Sequence, residues 1–195
     1  MANGPKAGKK REPILRAAFN LLCQEGYNDI TTTSIAQAAG IAIGTLYKYY
    51  SNKKELFLDM YEFFFFEIAS PSLDMMQNLT MPFAVWEFFR NIVDATVQGH
   101  NNASKRCHDA LMKLVYHDDD FREKDNRCKL MVVDGLIPVL NEHGFIVPYI
   151  REKLHFAISI LEAYAHEAAY KETDGLEYGQ IKETMVEIIG GIIFK

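Results

Sequence analysis

Apolar residues recur three and four positions apart along most of this chain, the spacing that places side chains on one face of an α-helix. The first such stretch lies between Pro13, which favours a helix start, and Gly26, which favours a helix end. Its apolar positions are Ile14, Ala17, Ala18, Leu21 and Leu22. No segment combines alternating apolar and polar residues with hairpin turns, the pattern typical of strands. The sequence therefore predicts an all-α fold.

The boundaries of the other helices are predicted from caps, glycines and prolines. The hydroxyl residues at 31–34 can cap a short helix over 34–39, which Gly40 ends, and a second short helix follows over 43–50. Asn52 and Glu55 match a capping box that opens a long helix, which Pro71 is expected to end near residue 69. The later predicted helices cover 82–99, 101–116, 121–141, 148–171 and 180–194.

The two short helices have the composition of a helix-turn-helix unit. Ala36 and Ala39 allow the helices to cross closely, and Gly40 can adopt the positive φ of a tight turn. The second helix of such a unit lies in the DNA major groove, and its exposed positions are predicted to be Thr45, Tyr47, Lys48 and Tyr49. Their hydroxyl and ammonium groups suit phosphate oxygens, as does Lys53. The alternative is a helical hairpin that uses Ala and Gly only for packing.

Charge is distributed unevenly along the chain. The whole sequence has a net charge of −5, yet residues 1–54 hold eight basic and three acidic side chains. The remaining residues hold 13 basic and 23 acidic side chains. A basic head joined to an acidic body is typical of a protein whose first segment binds a polyanion. The alternative is a solvated basic N-terminus without a partner.

Residues 30–57 closely resemble the DNA-binding domain of the tetracycline-repressor (TetR) family, whose order and spacing they match over about 45 residues when the preceding helix is included. The matching elements are Ile14-Leu15-x-Ala17-Ala18, Gly26-Tyr27, Thr32, Ile35-Ala36, Ala39-Gly40, Gly44-x-Leu46-Tyr47-x-Tyr49-Tyr50 and Lys53-x-Glu55-Leu56. The remaining two thirds of the chain carry no family motif. The resemblance implies an N-terminal three-helix DNA-binding domain, taken as 1–54, and a C-terminal helical domain for effector binding and dimerisation, taken as 55–195.

The resemblance also implies roles for individual residues in DNA binding. Thr32 or Thr33 would bind phosphate, and Tyr47, Tyr49 and Lys53 would contact phosphate or sugar. The residues that would face bases and backbone are Ala42, Ile43, Gly44 and Thr45. The position of Ile43 is often basic or polar in the family, so this isoleucine is expected to meet a thymine methyl instead. Lys48 and an N-terminal arm that includes Lys10 and Arg11 would supply further contacts.

The last two predicted helices carry apolar stripes that suit a homodimer interface. Their proposed interface positions are Leu154, Ile158, Leu161, Ala165, Ile181, Met185, Ile188 and Ile192. Two helices from each subunit would form a four-helix interface, as in the resembled family. The alternative is that both stripes pack inside one subunit.

The middle helices are unusually aromatic, with four consecutive phenylalanines at 63–66. Such residues can line an apolar cavity for a small hydrophobic or aromatic effector. The expected ligand-binding residues are Phe64, Trp86, Phe89, Met112, Tyr116 and Phe121. The alternative for each of them is an ordinary place in the core.

Other kinds of site find little support in the sequence. Six histidines include no HExxH pair, and phosphate-binding glycine loops are lacking, so no metal, cofactor or enzymatic activity is predicted. Three cysteines without a CxxC pair argue against a disulfide framework, and a redox role for Cys107 or Cys128 is not favoured without a nearby partner. The chain also lacks a secretion signal and an apolar segment of membrane-spanning length, which favours the cytoplasm.

The sequence thus predicts a homodimeric transcriptional regulator, specifically a repressor that a small hydrophobic effector releases from operator DNA. One rival is an all-α small-molecule-binding protein or enzyme with an architectural helix-turn-helix. Another is a sequence-indifferent DNA-packaging protein, for which more Lys and Arg would be expected in the acidic body.

Overall fold

The computed structural model describes residues 11–78, 85–171 and 173–194. These residues form helices without strands, which confirms the all-α prediction. The described helices are α1 (Glu12–Glu25), α2 (Thr32–Ala38), α3 (Ile43–Leu46), α4 (Lys53–Gln77), α5 (Val85–Asn101), α6 (Lys105–His117), α7 (Asp119–Glu142), α8 (Ile150–Tyr170) and α9 (Tyr178–Phe194). Within these ranges, every helix falls short of the length or apolar character that crossing a membrane requires.

The described residues fall into two compact units. The head unit comprises the residues up to 67 together with 104–128, and the body unit comprises 68–103 together with 129 onward. The predicted single boundary between residues 54 and 55 does not coincide with this division. The reason is that α6 and the beginning of α7 contribute to the core of the head unit, although they lie far along the chain.

The head unit is built on a continuous apolar core. Leu15 and Ala18 of α1 pack with Ile35 of α2, Leu46 of α3 and Phe57 of α4, and all five side chains are fully buried. Leu111, Leu114 and Val115 of α6 and Phe121 of α7 complete the same core. These contacts fix the short helices α2 and α3, which are too short to be stable alone.

Local capping sets the start of two helices in the head unit. The Thr31 hydroxyl accepts a hydrogen bond from the Ser34 backbone N–H, and the Ser34 hydroxyl accepts one from the Thr31 N–H, forming a capping box that starts α2. The predicted cap of α4 is confirmed, since the Asn52 side chain accepts a hydrogen bond from the Glu55 N–H at 2.9 Å. The Glu55 carboxylate in turn accepts from the Ser51 N–H. These hydrogen bonds satisfy backbone donors that a helix start leaves unpaired.

Two predicted helix lengths are wrong. α3 ends at Leu46 rather than near residue 50, because Lys48 and Tyr49 donate backbone hydrogen bonds to carbonyls only three positions earlier, which tightens the chain into turns. α4 continues through Pro71 to Gln77. Beyond the proline, Ser72 and Leu73 are buried in the body unit, and this burial outweighs the one backbone hydrogen bond that a proline removes.

The body unit is a helical bundle in which α5, α8 and α9 pack against one another. Arg90 of α5 forms a bidentate ion pair with Glu183 of α9, and Lys182 pairs with Asp94. α8 begins at Ile150 rather than at Pro148, since Tyr149 before it takes a left-handed conformation with a φ of 58°. The predicted start of α5 near Pro82 lies outside the described residues.

Candidate nucleic-acid interface

The helix α3 presents an exposed face on a buried anchor. Leu46 is fully buried in the head core, whereas Ala42, Ile43, Gly44 and Lys48 are exposed to solvent. Ile43 is 39% exposed although it is large and apolar. Because the buried anchor holds the helix in one orientation, the exposed side chains form a fixed surface. This surface has the apolar and cationic groups that a base edge and a phosphate require.

The hydroxyl residues beside α3 also lie on this surface. Tyr47 directly follows α3 and is 52% exposed, and its hydroxyl lies 3.0 Å from that of Thr32 at the start of α2. Thr33 is exposed, while Thr45 is half-buried. Tyr49 is half-buried and packs against the head core. The structure therefore brings Thr32 and Tyr47 together and gives Tyr49 a larger packing role than the sequence suggests.

Lys53 makes structural contacts that the sequence did not predict. Its ammonium donates hydrogen bonds to the backbone carbonyls of Tyr27 at 2.9 Å and Ile30 at 2.8 Å. The same ammonium lies 4.3 Å from the centre of the Tyr27 ring, at cation–π distance. Lys53 therefore ties the start of α4 to the loop between α1 and α2. These partners lie more than twenty residues away and could not be read from local sequence, and the phosphate contact of Lys53 stays a prediction.

Arg11 belongs to a polar cluster in the head unit. Its guanidinium pairs with the Asp59 carboxylate and lies 3.3 Å from the Tyr50 hydroxyl, which itself donates to Asp59 at 2.5 Å. Burial raises the pKa of Tyr50, with the hydrogen bond to Asp59 adding to this effect. Arg11 is thus engaged in holding α1 to α4, a role that differs from the predicted DNA-contacting arm. Lys10 lies outside the described residues.

The predicted effector residues do not share one environment. Phe64 and Phe121 are buried in the head core, where the ring centroids of Phe64 and Phe19 lie 3.8 Å apart, so their place in an effector pocket stays a prediction. Tyr116 is 70% exposed, and Met112 packs at the edge of the head core. In the body unit, Phe89 is buried and Trp86 is 49% exposed.

The head unit contains a polar cleft of about 400 Å³ that none of the predicted effector residues lines. Charged and hydroxyl side chains dominate its wall, namely Arg11, Tyr49, Tyr50, Glu55, Asp59, Asp120, Glu123, Lys124 and Arg127, together with Leu58. Some of these charges pair within the cleft, such as Arg127 with Glu123, whereas Lys124 pairs with Glu62 and Asp120 with Lys54 outside its lining. Its chemistry therefore differs from the apolar cavity that the aromatic residues suggest.

The predicted dimer residues divide into two groups. Leu154, Leu161, Ala165 and Met185 are buried within the body unit of a single chain, so each of them packs in its core. At the level of helices, α8 and α9 pack on α5 and on each other, while a role of these four residues in a dimer interface stays a prediction. Ile188 is 41% exposed, and Ile158, Ile181 and Ile192 are half-buried.

A disulfide bridge joins Cys23 of α1 to Cys107 of α6, both within the head unit. Sequence alone indicated no nearby partner for Cys107, and the reason is that cysteines 84 residues apart become neighbours only when α6 packs on α1. The third cysteine, Cys128, is buried and outside the bridge. An odd count of cysteines indicates that at least one is unpaired, but it does not indicate how many are paired.

In a helix-turn-helix protein, two short helices are joined by a tight turn and the second exposes one face. Here α2 and α3 have this arrangement, and both pack on the core of the head unit. Gly40 makes that turn with a φ of 66°. Residues 14–60 match the family described as bacterial regulatory proteins, tetR family. This match shows a DNA-binding domain of the TetR family in residues 14–60 of the chain.

One curated relative and two solved structures are similar to this chain. The chain is 26% identical over 151 residues to the Escherichia coli K12 protein named "Probable acrEF/envCD operon repressor", an alignment that covers 76% of this chain and 62% of that relative. Two solved structures share the fold. A transcriptional regulator of Streptomyces coelicolor A3(2) has 18% identity and a TM-score of 0.70, covering 95% of this chain and 99% of its own. The fatty acid degradation regulator FadR of Bacillus halodurans has 20% identity and a TM-score of 0.66, and the match covers 95% of this chain and 97% of FadR.

Proposed function

We propose that this chain is a sequence-specific, DNA-binding transcriptional repressor. The observation that carries the proposal is the exposed surface of Ile43, Tyr47 and Lys48 on a helix whose Leu46 is anchored in the core. Such a surface fits the major groove, where the isoleucine would meet a thymine methyl and the tyrosine and lysine would meet phosphate oxygens. No catalytic role is proposed for this protein, which would work in the cytoplasm where its operator lies.

A homodimer would supply the second recognition helix that a specific operator requires. Ile158 of α8 and Ile181, Ile188 and Ile192 of α9 would contribute to the interface, since they retain exposed surface. The exposed Phe156 of α8 would add to it at 58% exposure. In the DNA-bound dimer the two copies of α3 would lie roughly 34–36 Å apart, one turn of DNA.

A small hydrophobic or aromatic effector would release the repressor from DNA. The Bacillus halodurans relative is named a fatty acid degradation regulator, which supports an effector of this class. α4 runs without interruption from Lys53 in the head unit to Gln77 in the body unit, so a shift of this helix would be felt in both. Release requires that the effector bind the DNA-binding conformation of the dimer and its DNA-free conformation with different affinities.

Selection of binding sites from a random pool of duplex DNA tests the proposal. We expect the purified protein to enrich a palindrome whose half-sites are separated by about one helical turn. Retention of all sequences alike would favour a DNA-packaging protein, and retention of none would favour a small-molecule-binding protein or enzyme with an architectural helix-turn-helix. Either result would overturn the proposal that this chain is a sequence-specific repressor.

A matched pair of variants identifies the residue that reads sequence. Ile43→Arg places a guanidinium on the exposed face of α3, and we expect one position of each half-site to change in favour of guanine. Ile146→Arg adds the same charge at an isoleucine that is 83% exposed in the body unit. This control should leave the selected palindrome unchanged. An unchanged palindrome with Ile43→Arg would show that α3 does not read bases.

A further inference from the structure

The bridged cysteines occupy different positions in their helices. Cys23 lies in the last turn of α1, and Cys107 lies in the first turn of α6, with their Cα atoms 4.6 Å apart. Both residues are half-buried, so small oxidants can reach them when they are reduced. Cys128 is fully buried and provides an internal reference thiol.

The surroundings of Cys107 favour a reactive thiolate. It is the third residue of α6, where backbone N–H groups and the helix dipole stabilise negative charge. The Ser104 hydroxyl lies 3.1 Å from the Cys107 sulfur and donates to it, and Lys105 and Arg106 precede it in the sequence. Cys23 is at the opposite end of a helix, where the dipole disfavours a thiolate. The pair is therefore asymmetric, with Cys107 as the attacking thiol and Cys23 as its partner.

We propose that Cys23 and Cys107 form a reversible dithiol–disulfide site for hydroperoxides, and that its redox state alters operator binding. The Cys107 thiolate attacks the peroxide oxygen, becomes a sulfenic acid and releases water or an alcohol. The Cys23 thiol then attacks the Cys107 sulfur, forming the disulfide and releasing water. Two thiols are oxidised and one peroxide is reduced. Low-molecular-weight thiols reverse the reaction by disulfide exchange.

The bridge lies where it can influence the recognition helix. α1 packs on α2, which packs on α3, so the position of α1 on α6 helps to set the position of α3 within the head unit. In the oxidised protein a covalent bond fixes the end of α1 to α6. In the same bridged structure Arg106 donates a hydrogen bond to the Gln24 carbonyl beside the disulfide, and this contact is not covalent. The two redox forms therefore differ in how firmly the helix-turn-helix is held, and this part of the proposal rests on the proposed function.

Thiol counting tests the chemistry without DNA. The fully reduced protein, once denatured, should contain three reactive thiols. When the native reduced protein is first treated with equimolar peroxide and then denatured, only the thiol of Cys128 should remain. Mass spectrometry should find the Cys23–Cys107 bridge in monomeric chains. Millimolar reduced glutathione should restore the other two, and the melting temperature should fall by several degrees on reduction. Three thiols after peroxide, a bridge between chains, or a bridge that survives glutathione would overturn the proposal.

Trapping identifies the attacking sulfur. In Cys23→Ser the sulfenic acid on Cys107 has no partner, so dimedone should label Cys107 after peroxide treatment. In Cys107→Ser the remaining Cys23 should label at least tenfold more slowly. Equal labelling of the two variants would contradict the assigned roles. Native circular dichroism of each variant checks that it is folded.

Operator binding tests the coupling. With the duplex chosen by random-site selection, the oxidised and reduced wild-type proteins should differ in Kd at least threefold. Cys128→Ser should keep this difference, whereas Cys23→Ser and Cys107→Ser should lose it. Equal Kd values for both redox forms of the wild type would overturn the coupling. If no duplex is selected, the proposed function and this coupling fail together, while thiol counting and trapping still decide whether the peroxide chemistry exists.

Discussion

The hydroxyl groups of Thr32 and Tyr47 lie 3.0 Å apart and join the first residue of α2 to the residue that follows α3. This hydrogen bond therefore links the start of α2 to the end of α3 on the exposed side of the helix-turn-helix. Because the tyrosine is exposed, its hydroxyl can exchange the threonine for a phosphate oxygen without uncovering the core. We therefore predict that the pair positions donors for the DNA backbone.

Tyr47→Phe and Thr32→Val each remove one hydroxyl of this pair. Each should weaken binding of every duplex by roughly three- to tenfold, as expected for a lost phosphate hydrogen bond. The selected sequence should not change, since phosphate contacts carry no base information. Fluorescence anisotropy against specific and random duplexes measures this effect. Tyr149→Phe, at an exposed tyrosine of the body unit, is the control. Loss confined to the specific duplex would contradict this role.

The structure predicts opposite phenotypes for two lysines of the head unit. Lys53→Met should lower the free energy of unfolding by about 2–3 kcal/mol, since two backbone carbonyls lose a charged donor. Lys48→Met should leave stability unchanged and reduce the salt dependence of DNA binding by about one phosphate contact. Urea unfolding and salt titration measure the two effects. Lys113→Met, at an exposed lysine of α6, should change neither. Normal stability of Lys53→Met would contradict its assigned role.

Gly99 has a packing role that a side chain would prevent. A Cβ atom there would lie 2.2 Å from the Ile68 carbonyl oxygen, which is backbone and cannot rotate away. Gly99→Ala should therefore destabilise the body unit by about 1–3 kcal/mol, as expected for overpacking. Thermal unfolding measures this change. Gly179→Ala provides the matched control, because a Cβ at that position in α9 has open space. Equal melting temperatures for the two variants would contradict the close approach.

His100 makes the stability of the body unit depend on pH. Burial lowers the pKa of His100 from its usual value near 6.5, and the nearby His166 charge acts in the same direction. His100 is therefore protonated at a higher pH in the unfolded state than in the folded state. As a result, the free energy of unfolding decreases as the pH drops below about 6.5.

Melting temperatures between about pH 7.5 and 5.5 measure this dependence. His100→Gln, which keeps a donor for the Thr96 carbonyl, should flatten the decline. His117→Gln, at an exposed histidine, should retain it. A decline of equal slope in the His100→Gln protein would show that another group is responsible.

Local sequence signals predicted much of the head unit because their partners lie within a few residues. The caps at Thr31 and Asn52 and the turn at Gly40 are of this kind, and the structure contains all three. Of the four positions predicted to be exposed on the second helix, Tyr47 and Lys48 are exposed, whereas Thr45 and Tyr49 are half-buried because the chain turns after Leu46.

Features that depend on distant partners could not be predicted. Lys53 finds its carbonyl partners in another loop, and Cys23 finds Cys107 through the packing of α6. Pro71 ends most helices, yet burial of the residues after it keeps α4 intact. The apolar stripes of α8 and α9 were visible, but periodicity alone does not distinguish packing within a chain from packing between chains.

The most direct measurement is the affinity of a Tyr47→Ala, Lys48→Ala double variant for the duplex chosen by the wild-type protein. Both side chains are exposed, so the variant should fold with an unchanged melting temperature. We predict a loss of affinity of roughly 30-fold or more, the sum of two backbone contacts and the packing of the tyrosine ring. A folded double variant that binds this duplex as tightly as the wild type would contradict the claim that α3 and its flank bind DNA.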